Sequence, residues 1–296
     1  MRRGALSAGS GFALLALGLS GGAGFGTAWR DRAEQRGAAL ASQSAQSQGL
    51  SREAQAAIDR RDDATALALL QRLVAVSPKS AEAHHRLGRV LQGQGRLAEA
   101  EASYRRALDL DHEYGAAMIG IGSIDAARGR ADEALKRFEA SIELDPHNAE
   151  AHLARARALE SLTRPDDALA AYFRVLEFDP NSRDARLRVA TLQIDRSQTD
   201  QALSRLDRLV EQVPDDAEAR HQRGRAHLAL NHPALATSDL KFAASKLSNR
   251  PDVLYQLALA LEAGHDTPAA LEAAERALKL APGFADARAL TEKLRR

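Results

Sequence analysis

The stretch GAAMIGIGSIDAARGRADEALKRFEASIELDPHN, residues 115–148, decides the fold. Its apolar residues recur at helical spacing, stop around Gly129, and resume through Ala134, Leu135, Phe138 and Ile142. Gly129 suits the left-handed conformation that ends a helix. Asp132 and Glu133 open the second run and complement the positive end of its dipole. The run closes on Glu143-Leu144-Asp145-Pro146. The stretch therefore predicts a hairpin of two antiparallel helices.

The same pattern returns along the chain. Pro78, Pro146, Pro180, Pro214 and Pro282 share one 34-residue register, and His112 and Ser248 hold the two rungs without proline. Seven units follow: 47–80, 81–114, 115–148, 149–182, 183–216, 217–250 and 251–284. A period of this length means stacked identical units, not one enclosed core. The eighth position of each unit is Ala54, Gly88, Gly122, Ala156, Ala190, Gly224 and Ala258. The twentieth is Ala66, Ala100, Ala134, Ala168, Ala202, Ala236 and Ala270. Two helices approach closely only where small side chains meet, so these positions predict the crossing points within each hairpin. Larger residues lie opposite: Tyr104, Phe138, Tyr172, Leu206 and Leu240 at the twenty-fourth position, and Leu87, Ile121, Val189 and Leu257 at the seventh. The helix break falls at Gly95, Gly129, Thr163, Ser197, Asn231 and His265. Pro165, Pro233 and Pro268 stand where a second helix begins and Pro251 where a first helix begins. A first-turn N–H has no partner inside the helix, so proline is tolerated there.

This pattern resembles the tetratricopeptide repeat family over 47–284, about four-fifths of the chain. The resemblance implies an all-α fold, a right-handed α-solenoid of antiparallel helix pairs with first helices lining the concave side. The fourth position departs from the family, which usually has Trp there; here it is His84, Met118, His152, Arg186, Arg220 and Leu254. Arg155 and Arg223 take the normally apolar seventh position, so either they snorkel out or their units pack more loosely. Unit 47–80 is the weakest match and reads as an N-terminal cap. Residues 285–296, with Leu290 and Leu294 on one side, read as the extra capping helix of this family, which covers an otherwise exposed apolar face.

The resemblance also implies where ligands bind: the second, fifth, sixth, ninth, twelfth and thirteenth positions. The second is acidic in five units, at Glu82, Glu150, Asp184, Glu218 and Asp252. The ninth gives Arg89, Arg157 and Arg225, the sixth Arg86 and Arg188, and the fifth His85, His221 and Tyr255. An arginine row beside an acidic row is expected to grip an extended, acidic peptide through guanidinium forks. The plainer expectation is that Glu82–Arg86 and Asp184–Arg188 are i,i+4 surface pairs worth a few tenths of a kcal/mol each. The family's dicarboxylate clamp needs Lys at the fifth and Asn at the ninth position, and no unit has either.

Other functions are disfavoured. The net charge of +1 creates no field for nucleic acid or anionic lipid, and aromatics at 4% argue against a base-stacking platform. The chain has no cysteine, which excludes disulfides, thiol catalysis and zinc–thiolate sites. His84 and His85 are adjacent and point to different faces of a helix, and no other histidine pairing suits an ion, so no metal or other cofactor is expected. No nucleophile–base pair or phosphate loop stands out, so neither catalysis nor a small-molecule substrate is expected.

Residues 4–29 are uncharged and follow Arg2 and Arg3. Their apolar part, Phe12 to Leu19, is short and exits through Ser20-Gly21-Gly22-Ala23-Gly24, as in a signal peptide, with a possible cleavage site at Gly26-Thr27-Ala28. At ~1.5 Å per residue the segment is also long enough to cross a hydrocarbon core of ~30 Å. The expectation is export to the cell envelope: 1–30 is either a cleaved signal peptide, leaving a periplasmic or secreted protein, or a single transmembrane anchor. Arg30, Arg32 and Arg36 beyond it balance Arg2 and Arg3, so charge does not set orientation. Residues 31–46, rich in Ala, Gln and Ser, read as a linker, helical or disordered. The chain is thus expected to be a non-catalytic scaffold or adaptor for protein or peptide partners. The alternative is a docking or regulatory subunit of an envelope polymer synthase, secretion or modifying enzyme complex.

Overall fold

A computed structural model describes the backbone of residues 23–296 and the side chains from residue 32. Among these residues the chain is all helical and divides into two compact units, Met1–Pro78 and Lys79–Arg296. The first unit pairs α1 (Ala23–Asp59) with α2 (Asp63–Val76). The second holds six hairpins: α3 (Ala81–Gly93) with α4 (Leu97–Leu110), α5 (Gly115–Ala127) with α6 (Ala131–Leu144), and α7 (Ala149–Ser161) with α8 (Pro165–Phe178). These are followed by α9 (Arg183–Asp195) with α10 (Thr199–Gln212), α11 (Ala217–Ala229) with α12 (Pro233–Lys246), α13 (Pro251–Ala263) with α14 (Thr267–Leu280), and a last helix, α15 (Ala285–Leu294).

The segment expected to be a signal peptide or anchor lies outside the described residues up to residue 22; from Ala23 it is helical backbone of α1. Among the described residues no helix is long and apolar enough to cross a membrane. Residues 31–46 continue α1, which runs for 37 residues. Its last part packs Leu50, Ala54 and Ala57 into a core shared with Ala66, Leu70 and Leu73 of α2, all buried. Gln43 Nε2 donates to Val76 O at 2.6 Å, tying the expected linker to the end of α2.

In the second unit each first helix from α3 to α13 has 13 residues and each second helix 14, and each begins 34 residues after its predecessor. One device ends every first helix. The fifteenth residue has positive φ in all seven units: Arg61 58°, Gly95 74°, Gly129 77°, Thr163 54°, Ser197 61°, Asn231 58° and His265 61°. The next N–H then reaches back to the eleventh carbonyl, as from Arg96 to Leu91 at 2.9 Å and from Gln198 to Gln193 at 2.8 Å. This left-handed cap satisfies carbonyls that the helix end would orphan.

All fourteen small positions are buried. Where the eighth is glycine, the twenty-fourth side chain occupies the place of a Cβ. A Cβ on Gly88 would stand 2.7 Å from the Tyr104 ring, one on Gly122 2.6 Å from Phe138, and one on Gly224 2.6 Å from Leu240. Tyr104 is pressed between Gly88 and Gly120 of the next hairpin, and its hydroxyl donates to Gln92 Oε1 at 2.7 Å. The apolar clusters run from one hairpin into the next; one joins Leu187 and Ala190 of α9, Leu206 and Leu209 of α10, and Ala219 and Ala226 of α11. At the end of the stack, Ala287 and Leu290 of α15 are buried against α14, with Leu294 packed beside them.

The polar fourth position has a structural role. Arg186 Nε donates to Pro180 O at 2.8 Å, Arg220 Nε to Pro214 O at 2.7 Å and Arg288 Nη2 to Pro282 O at 2.6 Å. His152 Nε2 lies 3.0 Å from Pro146 O. Each side chain thus ties the proline turn of one unit to the first helix of the next. The turn keeps its other bonds without proline: Asp111 N still donates to Ala107 O at 2.9 Å and Leu247 N to Ala243 O at 2.8 Å, flanking His112 and Ser248.

The seventh-position arginines follow neither expected course. Arg155 Nε reaches Glu139 at 3.3 Å. Arg223 forks Asp239 at 2.6 and 2.8 Å and touches Asp207 at 3.2 Å, while Ala236 and Leu240 beside it remain fully buried. An interhelical ion pair replaces the apolar contact without loosening the unit.

Two substitutions test this geometry. Thr163, β-branched at φ 54°, is strained. Thr163→Gly should stabilise the chain by about 0.5–1 kcal/mol, seen as a higher urea midpoint; an unchanged or lower midpoint contradicts the strain. Ala100→Leu places three more carbons at a fully buried crossing and should cost about 1–3 kcal/mol; a neutral result refutes the crossing.

Candidate functional site

A cavity of about 560 Å³ in the second unit is lined by first helices and the residue before one of them. α9 supplies Arg183, Asp184, Leu187, Arg188 and Thr191; α11 supplies Glu218, His221, Gln222 and Arg225; α13 supplies Asp252 and Gln256, with Arg250 just before it. These are mostly the second, fifth, sixth and ninth positions of three successive units. At ~100° per residue those positions share one face of each helix.

Three of the groove residues expected from the sequence meet here: Arg188, His221 and Arg225. Each already has a neighbour. Arg225 donates to Gln222 Oε1 at 2.8 Å and pairs across units with Asp195 at 2.9 Å. Arg188 lies 3.5 Å from Glu160 of the preceding unit, not beside Asp184 of its own helix. Asp184 instead accepts from Arg157, at 2.8 and 3.1 Å. So the arginine and acidic rows interlock along the stack, with Glu160 and Asp195 at the twelfth and thirteenth positions serving the arginines at the sixth and ninth. His221 is only 3% exposed. Its Nδ1 lies 3.6 Å from Glu218, and its Nε2 is buried without a hydrogen-bond partner. The His221 ring, then Gln222 and Arg250, hold the Glu218 carboxyl down to about 2 against the opposing effect of burial.

A smaller cavity of about 290 Å³ gathers His85, Arg89, Gln92 and Tyr104 with Ile119, Gly120 and Glu150. Arg89 is exposed there. His85 is half-buried, its ring 5.8 Å from that of Tyr104 and 5.3 Å from that of Tyr114. Arg86 sits 3.7 Å from Glu82, the i,i+4 pair read from the sequence. Arg157, Arg86 and Tyr255 line neither cavity; the Tyr255 ring packs on Phe284 at 5.0 Å.

Sequence positions missed Arg183 and Arg250, which frame the larger cavity. Arg183 forks Asp216, the N-cap of α11, at 2.5 and 2.6 Å, and Arg250 bridges Asp252 at 2.5 Å and Glu218 at 3.4 Å. They stand at the first and last positions of their units, one and two residues before the acidic second position, and that nearness was the available signal. Burial raises the Asp216 carboxyl, but the Arg183 fork and the Ala219 N–H outweigh it and leave the group below the usual carboxylate range. Among the described residues no group of three His, Asp or Glu could hold a metal ion.

His85 sets a pH dependence. Burial first, then the charges of Arg89 and Arg86, pull its ring from 6.5 down to about 4. Between those values the unfolded chain binds a proton that the folded chain refuses, so stability falls as pH drops through that window. His85→Phe should flatten this part of the curve of unfolding midpoint against pH; an unaltered slope refutes the assignment.

Family models described as tetratricopeptide repeat match residues 81–114, 125–183 and 161–228. A comparison with curated proteins finds no match. Among solved structures, the APC/C hetero-tetramer Cut9-Hcn1 aligns at TM-score 0.66 with 16% identity over 78% of this chain, which spans 48% of that chain. PilW, a type IV pilus biogenesis factor, aligns at TM-score 0.60 with 20% identity over 71% of this chain and 97% of that one. A tetratricopeptide repeat protein from Parabacteroides merdae aligns at TM-score 0.56 with 19% identity over 85% of this chain and 99% of that one. These likenesses concern the fold. Together with the 34-residue hairpins and their buried small positions, they make the chain a tetratricopeptide repeat protein, a scaffold for protein–protein interaction.

Proposed function

We propose that the chain is a non-catalytic adaptor whose groove along α9, α11 and α13 holds an extended peptide bearing acidic side chains. The single observation carrying this is the mixed-charge cavity of about 560 Å³ built from first-helix side chains and Arg250 just before α13. Its arginines are held by pairs such as Arg225–Asp195 and Arg188–Glu160 that remain partly exposed. Exposed pairs of this kind contribute about 0.2–1 kcal/mol, so a peptide carboxylate can exchange into them at small cost. Guanidinium forks then offer two parallel bonds to each incoming carboxylate. The buried ring of His221 and the aliphatic Leu187 form the floor on which the peptide backbone lies.

The adaptor works in the cell envelope on this reading. The support is the uncharged run 4–29 behind Arg2 and Arg3, which directs export and, where retained, holds the repeats at the membrane. Crosslinking in native membranes, followed by capture of the full chain and mass spectrometry, tests both halves. It should return one or more protein partners with acidic extended segments and show whether residues 1–28 persist. The double variant Arg188→Glu with Arg225→Glu should lose those partners while its circular dichroism stays unchanged. Undiminished capture by that variant would remove the groove from the proposal.

A further inference from the structure

The hairpin of α9 and α10 carries a second cavity, of about 370 Å³, lined by Leu176, Pro180, Arg186, Arg205, Arg208 and Gln212. Arg186 is two residues beyond Asp184, about 200° round the helix, so this cavity uses the face of α9 opposite the groove. No carboxylate lines it. Arg186 is fixed by three neutral acceptors, Pro180 O at 2.8 Å, Gln212 Oε1 at 2.6 Å and Asn181 Oδ1 at 3.0 Å. Arg205 lies over the Phe173 ring at 5.2 Å, and its Nε is buried without a hydrogen-bond partner. Arg208 is exposed. Among the described residues none of the three has an ion-pair partner, although most arginines elsewhere in the stack, such as Arg86 and Arg295, are paired with acids.

The equivalent positions of other hairpins act as internal controls. In unit 149–182 the fourth-position His152 meets the ring of Phe178 at 5.3 Å, the twenty-third position is the buried Ala171, and the cavity of about 300 Å³ beside His152 is lined by Glu139 and Glu143 as well as Arg155. In unit 217–250 the fourth-position arginine is neutralised: Arg220 lies 3.7 Å from Asp239 at the twenty-third position and stacks over Phe242 at 4.2 Å. In unit 251–284 the fourth and twenty-third positions are Leu254 and Ala273, both buried. Unit 183–216 alone places arginines at the fourth, twenty-third and twenty-sixth positions. Three cations converging without an acid repel one another, and a guanidinium nitrogen buried without an acceptor is costly. Both costs vanish when an oxyanion enters.

We propose that this crevice is an oxyanion site, in which Arg186, Arg205 and Arg208 hold a phosphate or carboxylate group, and that it is a second docking point separate from the groove. The group arrives as free phosphate or on an acidic side chain of a protein partner. The full chain in chloride buffer is titrated with sodium phosphate and, separately, with a hexaglutamate peptide, with the arginine side-chain NMR resonances and the thermal midpoint as readouts. Saturable binding of at least one probe is expected, weakened about tenfold or more in Arg208→Gln and in Arg205→Lys, which keeps the charge and removes the fork. The control Arg105→Gln, an exposed arginine outside both cavities, should leave binding unchanged. Without either probe, Arg208→Gln should unfold at a higher temperature than the native chain, because it relieves repulsion. Phosphate binding alone that Arg208→Gln weakens supports the site with a phosphate source, peptide binding alone that Arg208→Gln weakens supports it with a carboxylate source, and binding that Arg208→Gln leaves unchanged belongs to the groove and overturns the site. No saturable binding of either probe, or equal weakening by Arg105→Gln, overturns it.

Discussion

Within each hairpin two helices cross so closely that one side of the contact can carry almost no side chain. Gly88, Gly122 and Gly224 leave room for Tyr104, Phe138 and Leu240, and a single added carbon at any of the three would overlap its partner. The rest of the structure depends on this approach. It fixes the angle between paired helices, and with that angle repeated every 34 residues the next hairpin can only stack in one way. It also keeps the outer faces of the first helices clear of the crossing. Those faces are where Arg188, Arg225, Glu218 and Asp252 collect.

Neighbouring hairpins are joined differently. Apolar clusters cross junctions such as that between α10 and α11, but polar contacts cross junctions too. The Arg186, Arg220 and Arg288 side chains bind the carbonyl of the preceding proline turn, and Arg157–Asp184, Arg183–Asp216 and Arg225–Asp195 bridge successive first helices. A fourth-position Trp would clasp the same junction through buried area; here hydrogen bonds to the turn do so. The fourth position is therefore polar for a structural reason at His152, Arg186, Arg220 and Arg288, and Arg186 differs only in standing within the arginine cluster of the fifth unit.

The period, the small positions and the hairpin breaks were legible in the sequence because each is a local demand that one residue type meets. Gly95 and Gly129 announce a left-handed residue, and Thr163, Ser197, Asn231 and His265 fall at the same spacing. Arg61 does the same work but carries no such mark, because tertiary packing of its unit, not its own preference, imposes φ 58°. The groove positions were legible as positions, yet not as contacts. Which acid meets Arg188 depends on rotamers and on the distance to the previous unit, and neither repeats in sequence; hence Glu160 and not Asp184. For the same reason His85 and His221 read as groove side chains but lie packed, one between tyrosine rings and the other 3% exposed.

The way the units are joined has a mechanical consequence. Within a hairpin the contact is apolar and close-packed, a link that does not yield to changes in electrolyte. Between hairpins part of the coupling is ionic, and dissolved salt screens it over a Debye length of about 8 Å at physiological strength. The stack of the second unit is thus a series of stiff links with joints of tunable compliance. Its bending modulus is set partly by the ions around it, while the spacing of its side chains within each link stays constant.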